Sequence, residues 1–439
     1  MTEPDRSGPF DIRGPLPTGV TVLEASAGTG KTYTIAALAA RYVAEGTPLQ
    51  RLLLVTFTRM ATGELRDRVR ERLLAVERGL GLVQAGAPAD ERDDVVALLA
   101  AAAPDEVNLR RQRLVEALAD FDAATIATTH GFCQEMLASL GSAGDLDPDT
   151  TFVEDTRDLV SDVVDDLYVR RFHGGDRPPF GRAEAAAIAK LAIDNPAAAI
   201  VPAAGAAPQM RRRLAGAARD ELERRKRRLA VMGYDDLLTR LDEALSGDGS
   251  AGVIARLRAR FDVVLVDEFQ DTDPVQWRIV RRAFGGGDVT LVLIGDPKQA
   301  IYAFRGADVY AYLAAAEAAG TRATLDVNWR SDQGLIDAYD TMFGGAKLGH
   351  EGIVYRRVHS AEVNRAPRLT GAPHPAPLRL RVVQRSDPSI VLTKKGYANI
   401  ASARAHVAKD LAGDLVALLS CAAQIELRSA EGAAVERAR

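Results

Sequence analysis

Cysteine is almost absent from this sequence, and so are the patterns that would give it a structural role. The 439 residues include two cysteines, Cys133 and Cys421, which lie far apart and have no histidine or cysteine neighbour at metal-ligand spacing. A disulfide framework and a zinc site are therefore not predicted. We expect both cysteines to lie inert in apolar cores.

Long apolar runs and an excess of positive charge are lacking as well. No uninterrupted run approaches the roughly 18 apolar residues of a membrane span, and Met1–Arg13 is polar rather than an apolar signal core. The expected location is therefore cytoplasmic, without membrane contact. The formal net charge of -4 excludes a uniformly basic surface, so any nucleic acid must enter a local groove.

Short apolar runs alternate with helical patterns over much of the chain. Apolar residues make up 47% of the sequence, which is enough for two or three globular units. Alternating strands and helices predict an α/β fold with a parallel sheet, in which ligands gather at the carboxyl ends of the strands. A helix is predicted at Thr32–Val43, and the predicted strands are Gly19–Glu24, Arg51–Phe57, Thr125–Thr128, Val263–Val266 and Val289–Ile294.

A glycine-rich segment between the first predicted strand and the first predicted helix fits the phosphate-loop pattern. Gly28 and Gly30 would let backbone N–H groups face a phosphate, Lys31 would reach the β- and γ-phosphates of ATP, and the Thr32 hydroxyl would bind Mg²⁺. The alternative, a chance glycine-rich turn, is disfavoured by the flanking strand and helix. The predicted ATP-binding loop comprises Ala25, Ser26, Ala27, Gly28, Thr29, Gly30, Lys31 and Thr32.

Two adjacent carboxylates follow another predicted strand. Asp267 would hold Mg²⁺, and Glu268 would orient and deprotonate the attacking water. Taken alone, such an acidic pair more often caps a helix, but its combination with a phosphate loop favours catalysis. Lys31 and Asp267 are much further apart than one or two strand-helix-strand units require, which predicts large helical insertions between them.

Six motifs in a fixed order resemble helicases of the UvrD/Rep type in superfamily 1. Within that superfamily, Glu24–Thr32, Phe10-Asp11 and Pro15–Pro17 are most similar to RecB-type (beta) subunits of exonuclease V. The resemblance covers roughly residues 8–140 and 230 to the end. Besides the phosphate loop, the motifs are Thr56–Thr58 with Ala61, Glu64 and Leu65, then Thr128–Cys133, Asp267–Gln276, Ile294–Asp308 and Asn328–Ser331.

The resemblance implies a domain arrangement and a set of partners. A first RecA-like P-loop motor domain would span residues 1–140 and 230–330, with a helical insertion at 141–229 and the start of a second motor domain at 331–439. The expected activity is ATP- and Mg²⁺-dependent movement on single-stranded DNA and duplex DNA ends in recombinational repair. RecC- and RecD-like subunits would be partners.

The resemblance also implies roles for residues of the later motifs. Lys31, Glu268, Gln299 and Arg330 would be catalytic, with Gln299 sensing and Arg330 holding the γ-phosphate, while Trp329 would stack on adenine. Trp329 could instead be a core aromatic, and His130 a structural histidine. The residues expected to contact single-stranded DNA, by base stacking or at its backbone, are Phe57, Thr58, Thr129, His130, Tyr302, Phe304 and Arg305.

Some features fit the family less well. No glutamine precedes Gln50, which weakens the adenine assignment, and the family's His-x-x-Lys-Gly motif and terminal arginine finger do not occur between Ser331 and Arg439. We therefore expect a truncated chain that hydrolyses ATP slowly and does not unwind DNA. The basic clusters Arg211–Arg213 and Arg224–Arg228 could form a salt-bridged helix face or contact duplex DNA.

Three functions stay open on this basis. The first is a helicase-family ATPase that processes DNA ends. The second is a fragment that binds ATP and single-stranded DNA without unwinding. The third is a signalling P-loop ATPase that does not touch DNA, for which Phe57, Tyr302 and Phe304 would have to be core residues.

Overall fold

The computed structural model describes residues 8–140, 150–153, 155–175, 178–195, 198–201, 206–302, 307–428 and 434–438. The chain forms two compact units. The first unit comprises Met1–Thr128, Arg258–Trp277 and Phe284–Arg439, and the second comprises Thr129–Leu257 and Arg278–Ala283.

Single helices or runs of several helices separate most of the strands along the chain. The strands are β1 Gly8–Pro9, β2 Val20–Ala25, β3 Leu52–Thr56, β4 Thr125–Thr128, β5 Thr151–Phe152, β6 Val231–Met232, β7 Val263–Val266, β8 Thr290–Gly295, β9 Thr321–Leu325, β10 Val327–Asn328, β11 His359–Ser360, β12 Leu369–Thr370, β13 Gln424–Arg428 and β14 Ala434–Ala438. The helices are α1 Lys31–Glu45, α2 Arg59–Gln84, α3 Asp94–Ala100, α4 Pro104–Ala119, α5 Thr129–Leu140, α6 Arg157–Phe172, α7 Arg182–Asp194, α8 Ala206–Leu229, α9 Tyr234–Ala244, α10 Ser250–Arg260, α11 Pro274–Phe284, α12 Val309–Ala318, α13 Gln333–Phe343 and α14 Ile400–Ser420.

A seven-stranded sheet forms the centre of the first unit, with strand order β1-β9-β2-β8-β7-β3-β4. Every pairing in it is parallel. Every residue of β3 and β7 is buried, as in strands whose two faces are both covered. The predicted parallel α/β fold is therefore confirmed, and the five predicted strands differ from the observed ones by at most one residue at each end.

The apolar core of this unit lies between the sheet and a layer of helices. Leu38 of α1, Leu73 of α2 and Leu114 of α4 belong to one buried cluster with Leu54 of β3. Helix α1 ends at Gly46, whose φ of 119° allows its N–H to donate to the carbonyls of Tyr42 and Val43. Because the central strands are parallel, the loops that follow their carboxyl ends lie at one edge of the sheet.

The last part of the first unit departs from one expectation, the burial of Cys421. Arg379 and Arg381 pair with carboxylates of α14, a helix without buried residues. Cys421, expected in a core, is only partly buried and donates to the carbonyl of Leu418, so that prediction is wrong. Cys133 is buried as expected.

The second unit is mostly helical. Helices α6, α7 and α8 pack around a small core that includes Val163, Val164, Ala189 and Leu222. Within the parts of the chain that the structure describes, no helix combines the length and the apolarity that crossing a membrane would require.

Candidate functional site

The phosphate-loop segment lies between β2 and α1. Gly28 and Gly30 have φ values of 82° and 86°, in the left-handed region that favours glycine. Between them, Thr29 donates from its N–H and its hydroxyl to the Ser26 carbonyl, at 3.2 and 2.8 Å. Together with the start of α1 at Lys31, this turn forms the kind of backbone concavity that binds anions.

The Asn328–Arg330 segment packs directly against this loop. Asn328 Nδ2 donates to the Ala27 carbonyl at 2.9 Å, and the Trp329 N–H donates to the Gly28 carbonyl at 2.8 Å. A Cβ at Gly28 would lie only 2.8 Å from the Arg330 Cβ. Glycine is therefore required here both for its φ and for the close approach.

Trp329 and Arg330 are both solvent-exposed beside the loop. The Trp329 side chain is 62% exposed, so the core-aromatic interpretation is wrong. Its Cδ1 would be 3.7 Å from a Cβ at Gly30, which places the ring next to the loop. Asn328 Oδ1 fixes the segment by accepting the N–H groups of Arg330 and Ser331 at 2.9 and 2.8 Å.

The two carboxylates lie across from the loop, after β7. Glu268 Oε2 accepts from Lys31 Nζ at 2.6 Å, and the Glu268 N–H donates to Asp267 Oδ1 at 2.9 Å. Glu268 has a φ of 49°, an uncommon conformation for a residue with a Cβ and one that clusters at functional sites. Its side chain makes no helix-cap hydrogen bond, which removes the capping interpretation.

The loop after β8 brings a second set of polar groups to the same edge of the sheet. Gln299 Nε2 donates to Asp296 Oδ2 at 2.8 Å, and Lys298 Nζ pairs with Asp296 Oδ1 at 2.7 Å and with Glu24 at 3.2 Å. Gln270, for which the sequence motifs predict no role, joins this loop to Glu268 through a buried side chain. The signal for it was a polar side chain two residues after Glu268.

Negative charge is concentrated and partly desolvated here. Burial raises the pKa of Asp267 to about 6, with a further rise from Glu268 and a smaller lowering by Lys31. The pKa of Asp271 is raised to about 6, mainly by burial and then by Glu268. Its Oδ1 atom is buried and has no hydrogen-bond partner among the described residues. A cation at this edge of the sheet would favour the charged form of both carboxylates and so lower their pKa values.

The residues present fit Mg²⁺ held together with a nucleotide. Among the described residues, no group of three His, Cys, Asp or Glu side chains could hold a metal ion by itself. Mg²⁺ characteristically takes one or two protein ligands and completes its shell with water and substrate phosphates. Thr32, in the first turn of α1, and Asp267 are the two candidate ligands.

Two of the residues predicted to contact DNA meet in the first unit. The rings of Phe57 and Tyr302 stack, with centroids 5.9 Å apart and an interplanar angle of 24°. Both are only partly buried, so neither is a core residue. Thr58 caps α2 by accepting the Ala61 N–H at 3.1 Å. Phe304 and Arg305 lie outside the described residues.

The remaining predicted DNA residues are in the second unit. Thr129 and His130 begin α5, and the His130 ring packs edge-to-face on Tyr234 at 5.6 Å, which favours a structural role for this histidine. The basic clusters are engaged in ion pairs, and these favour the salt-bridged interpretation: Arg211 with Glu184, Arg224 with Glu221, Arg225 with Asp166 and Glu221, and Lys226 with Glu223 and Asp236.

Comparison with known proteins gives consistent matches. Residues 13–319 match the family model described as the UvrD/REP helicase N-terminal domain. The RecBCD enzyme subunit RecB of Mycolicibacterium smegmatis is 47% identical over 424 residues, covering 94% of this chain and 37% of that protein. The RecB subunit of Mycobacterium tuberculosis is 45% identical over 421 residues, with 94% and 38% covered. The chain thus spans little more than a third of the length of these relatives.

The raised pKa of Asp271 predicts a pH-dependent loss of stability. Because the folded protein binds the proton more tightly than the unfolded chain, stability should fall as the pH rises from about 4 to about 6, and stay lower above that. Asp271→Asn should therefore raise the unfolding free energy of the nucleotide-free protein at pH 7.5 by roughly 1–3 kcal/mol.

Urea unfolding at a series of pH values measures this effect. The gain should disappear below about pH 4, where Asp271 is neutral in both the folded protein and the unfolded chain. Asp122→Asn, at a fully exposed side chain, is the matched control and should change the free energy by less than about 0.5 kcal/mol. A loss of stability in Asp271→Asn at pH 7.5 would contradict the electrostatic account.

Proposed function

The chain belongs to the UvrD/Rep helicase family, and we propose that it is the ATP-driven motor portion of a RecBCD-like exonuclease V acting at DNA ends in recombinational repair. The observation that supports this most directly is the meeting of the phosphate loop, Glu268 and the Asn328–Arg330 segment at one edge of the sheet. Helicases of this family use a nucleotide and Mg²⁺. The RecBCD assignment, with RecC- and RecD-like partners, rests on the names of the relatives.

Nucleotide binding would use groups that the folded chain already presents. The N–H groups of the phosphate loop face the phosphates, and the Trp329 ring is exposed beside the loop for stacking on adenine. When ATP binds, the Lys31 ammonium would leave its ion pair with Glu268 and pair with the β- and γ-phosphates instead. Thr32 and Asp267 would hold Mg²⁺, which when bound neutralises phosphate charge.

Hydrolysis then depends on Glu268. Once Lys31 is paired with phosphate, the Glu268 carboxylate is released to orient a water molecule and accept its proton as that water attacks the γ-phosphorus. The charge that develops on the γ-phosphate would be stabilised by Arg330 and Gln299. Arg330 is exposed beside Gly28, and Gln299 lies in the loop after β8. Positioning and electrostatics account for most of the catalysis in this reaction class.

DNA contact is proposed for the aromatic residues beyond the strand ends. Phe57 follows β3, and Tyr302 follows the Gln299 turn by three residues, so the ring pair adjoins the segment that would sense the γ-phosphate. Base stacking is tolerant of sequence, as a motor moving along any DNA requires. Thr58, Thr129, His130, Phe304 and Arg305 are the further residues proposed to contact the strand.

DNA-stimulated phosphate release tests the motor proposal. An oligo-dT strand should raise the rate of ATP hydrolysis at least about tenfold, and Lys31→Ala should lower the stimulated rate by roughly 100-fold or more, because the transition state loses its phosphate-bound cation. Lys395→Ala, an exposed lysine of the same unit, is the control and should keep the wild-type rate. Binding of ATP and oligonucleotide without Lys31-dependent release would favour a binding protein without turnover.

Substitution of the aromatic pair tests the proposed DNA contact. Phe57→Ala and Tyr302→Ala should each weaken binding of a fluorescent oligonucleotide by about 1–3 kcal/mol, equally for oligo-dT and a mixed sequence. Tyr397→Ala, at a tyrosine that is 62% exposed in the same unit, should leave the affinity unchanged. Wild-type affinity in the Phe57→Ala/Tyr302→Ala double variant would instead support an ATPase that does not bind DNA.

A further inference from the structure

Gln270 is a buried amide placed between two parts of the candidate site. The residue is 2% exposed, in the short turn that follows β7. Its Nε2 donates to Glu268 Oε2 at 2.7 Å and, at a longer 3.5 Å, to Asp271 Oδ2, and its Oε1 accepts the Asp296 N–H at 2.9 Å. The Glu268 oxygen that it contacts is the one paired with Lys31. One side chain therefore joins the carboxylate after β7 to the loop after β8.

The two short hydrogen bonds, to Glu268 and from Asp296, fix the orientation of this amide. In the reverse orientation, the amide oxygen would face a carboxylate oxygen, and the NH2 group would face a backbone N–H. Both contacts would be repulsive, and the burial leaves little room for water to relieve them. The Gln270 side chain thus has one stable arrangement, and in it a specific Glu268 oxygen is held.

The backbone of β8 is shaped to accept this side chain. A Cβ at Gly295 would lie 2.7 Å from Gln270 Oε1 and 3.1 Å from the backbone nitrogen of Gln270. The close approach of Gln270 to β8 therefore requires glycine at this position. The next residue, Asp296, is 2% exposed and receives Gln299 on Oδ2 and Lys298 on Oδ1. Displacement of Gln270 would therefore shift Asp296 and, through it, the segment that leads to Tyr302.

We propose that Gln270 is a positioning residue that orients the Glu268 carboxylate and couples it to the Asp296–Tyr302 segment. When Lys31 leaves Glu268 for a nucleotide, Gln270 keeps a hydrogen bond to that carboxylate and holds it toward the attacking water. Any shift of Glu268 moves the Asp296 backbone through the same amide. This inference rests on the function proposed above for Glu268 and Tyr302.

Gln333 provides a matched comparison within the same unit. Its Nε2 donates to the Asp337 carboxylate at 2.8 Å, and its Oε1 accepts the Ser360 N–H at 2.8 Å. Gln333 thus makes the same two short bonds as Gln270, on a side chain that is partly rather than fully buried, to groups that have no proposed role in hydrolysis or DNA contact. The same substitutions at both positions distinguish two effects. One is the loss of any such pair of hydrogen bonds, and the other is the loss of the specific link between Glu268 and Asp296.

The experiment compares Gln270→Met and Gln270→Glu with Gln333→Met and Gln333→Glu. Methionine fills a similar volume without either bond, whereas glutamate keeps the acceptor for Asp296 and removes the donor to Glu268. Both Gln270 variants should lower kcat for DNA-stimulated hydrolysis by roughly 10- to 100-fold and keep KM within about threefold, as misplacement of a reacting group predicts. The Gln333 variants should keep the wild-type kcat.

A second readout uses binding alone. In the wild type, a non-hydrolysable ATP analogue with Mg²⁺ should change the affinity for fluorescent oligo-dT by at least about fivefold. Gln270→Met should reduce this ratio to below about twofold, whereas Gln333→Met should retain it. Because no turnover is required, a variant or wild type that does not hydrolyse ATP still gives a result, and thermal unfolding verifies that each variant is folded.

The outcomes separate this inference from the proposed function. Wild-type kcat and wild-type coupling in both Gln270 variants would overturn the inference, while Lys31-dependent hydrolysis by the wild type would leave the proposed function standing. Equal effects at Gln333 and Gln270 would also overturn it, because they would show a general structural loss. If the nucleotide analogue does not change the oligonucleotide affinity of the wild type, the proposed coupling between Glu268 and the Asp296–Tyr302 segment is overturned. Absence of Lys31-dependent hydrolysis would count against the proposed function, and the binding readout would then decide whether Gln270 couples the two loops.

Discussion

The ion pair between Lys31 and Glu268 is the interaction on which the candidate site depends. It joins the start of α1 to the loop after β7 at 2.6 Å, with side chains 12% and 36% exposed. Asp267 and Asp271 add negative charge that burial makes unfavourable, and Lys31 offsets part of it. A partly desolvated charge is tolerated only while it is paired. A bound nucleotide would give Lys31 a new partner and set Glu268 free, so one exchange of partners would both bind the substrate and prepare the base.

The order of strands explains how residues so far apart in sequence share one edge. Strand β2 precedes the phosphate loop and pairs with β8, which pairs in turn with β7. The loops that follow these strands carry Lys31, Glu268 and Gln299. On the side of β2 opposite β8, β9 pairs with β2. Asn328, shortly after β9, donates a hydrogen bond to the Ala27 carbonyl and so joins the phosphate loop. The long helical segments are inserted between strands and leave the order of the sheet intact.

Much of this could be predicted from sequence because the strongest signals are local. The phosphate loop, its flanking strand and helix, and the Asp267-Glu268 pair are contiguous residue patterns with a direct physical meaning. The link through Gln270 could not be predicted, since it depends on Gly295 lying opposite in a neighbouring strand. Likewise, the pairing of Arg379 and Arg381 with carboxylates of α14 joins residues about 30 positions apart and has no local signal. The domain boundaries and the roles of the site residues stay proposals.

The exchange of partners by Lys31 is tested most directly by a crystal structure with Mg²⁺ and a non-hydrolysable ATP analogue. The account predicts that Lys31 Nζ contacts phosphate oxygens and has left Glu268, whose carboxylate faces a water molecule near the γ-phosphate. Asn328 should still bond to the Ala27 carbonyl. A complex in which the nucleotide is bound while Lys31 and Glu268 remain paired at about their present 2.6 Å would contradict it.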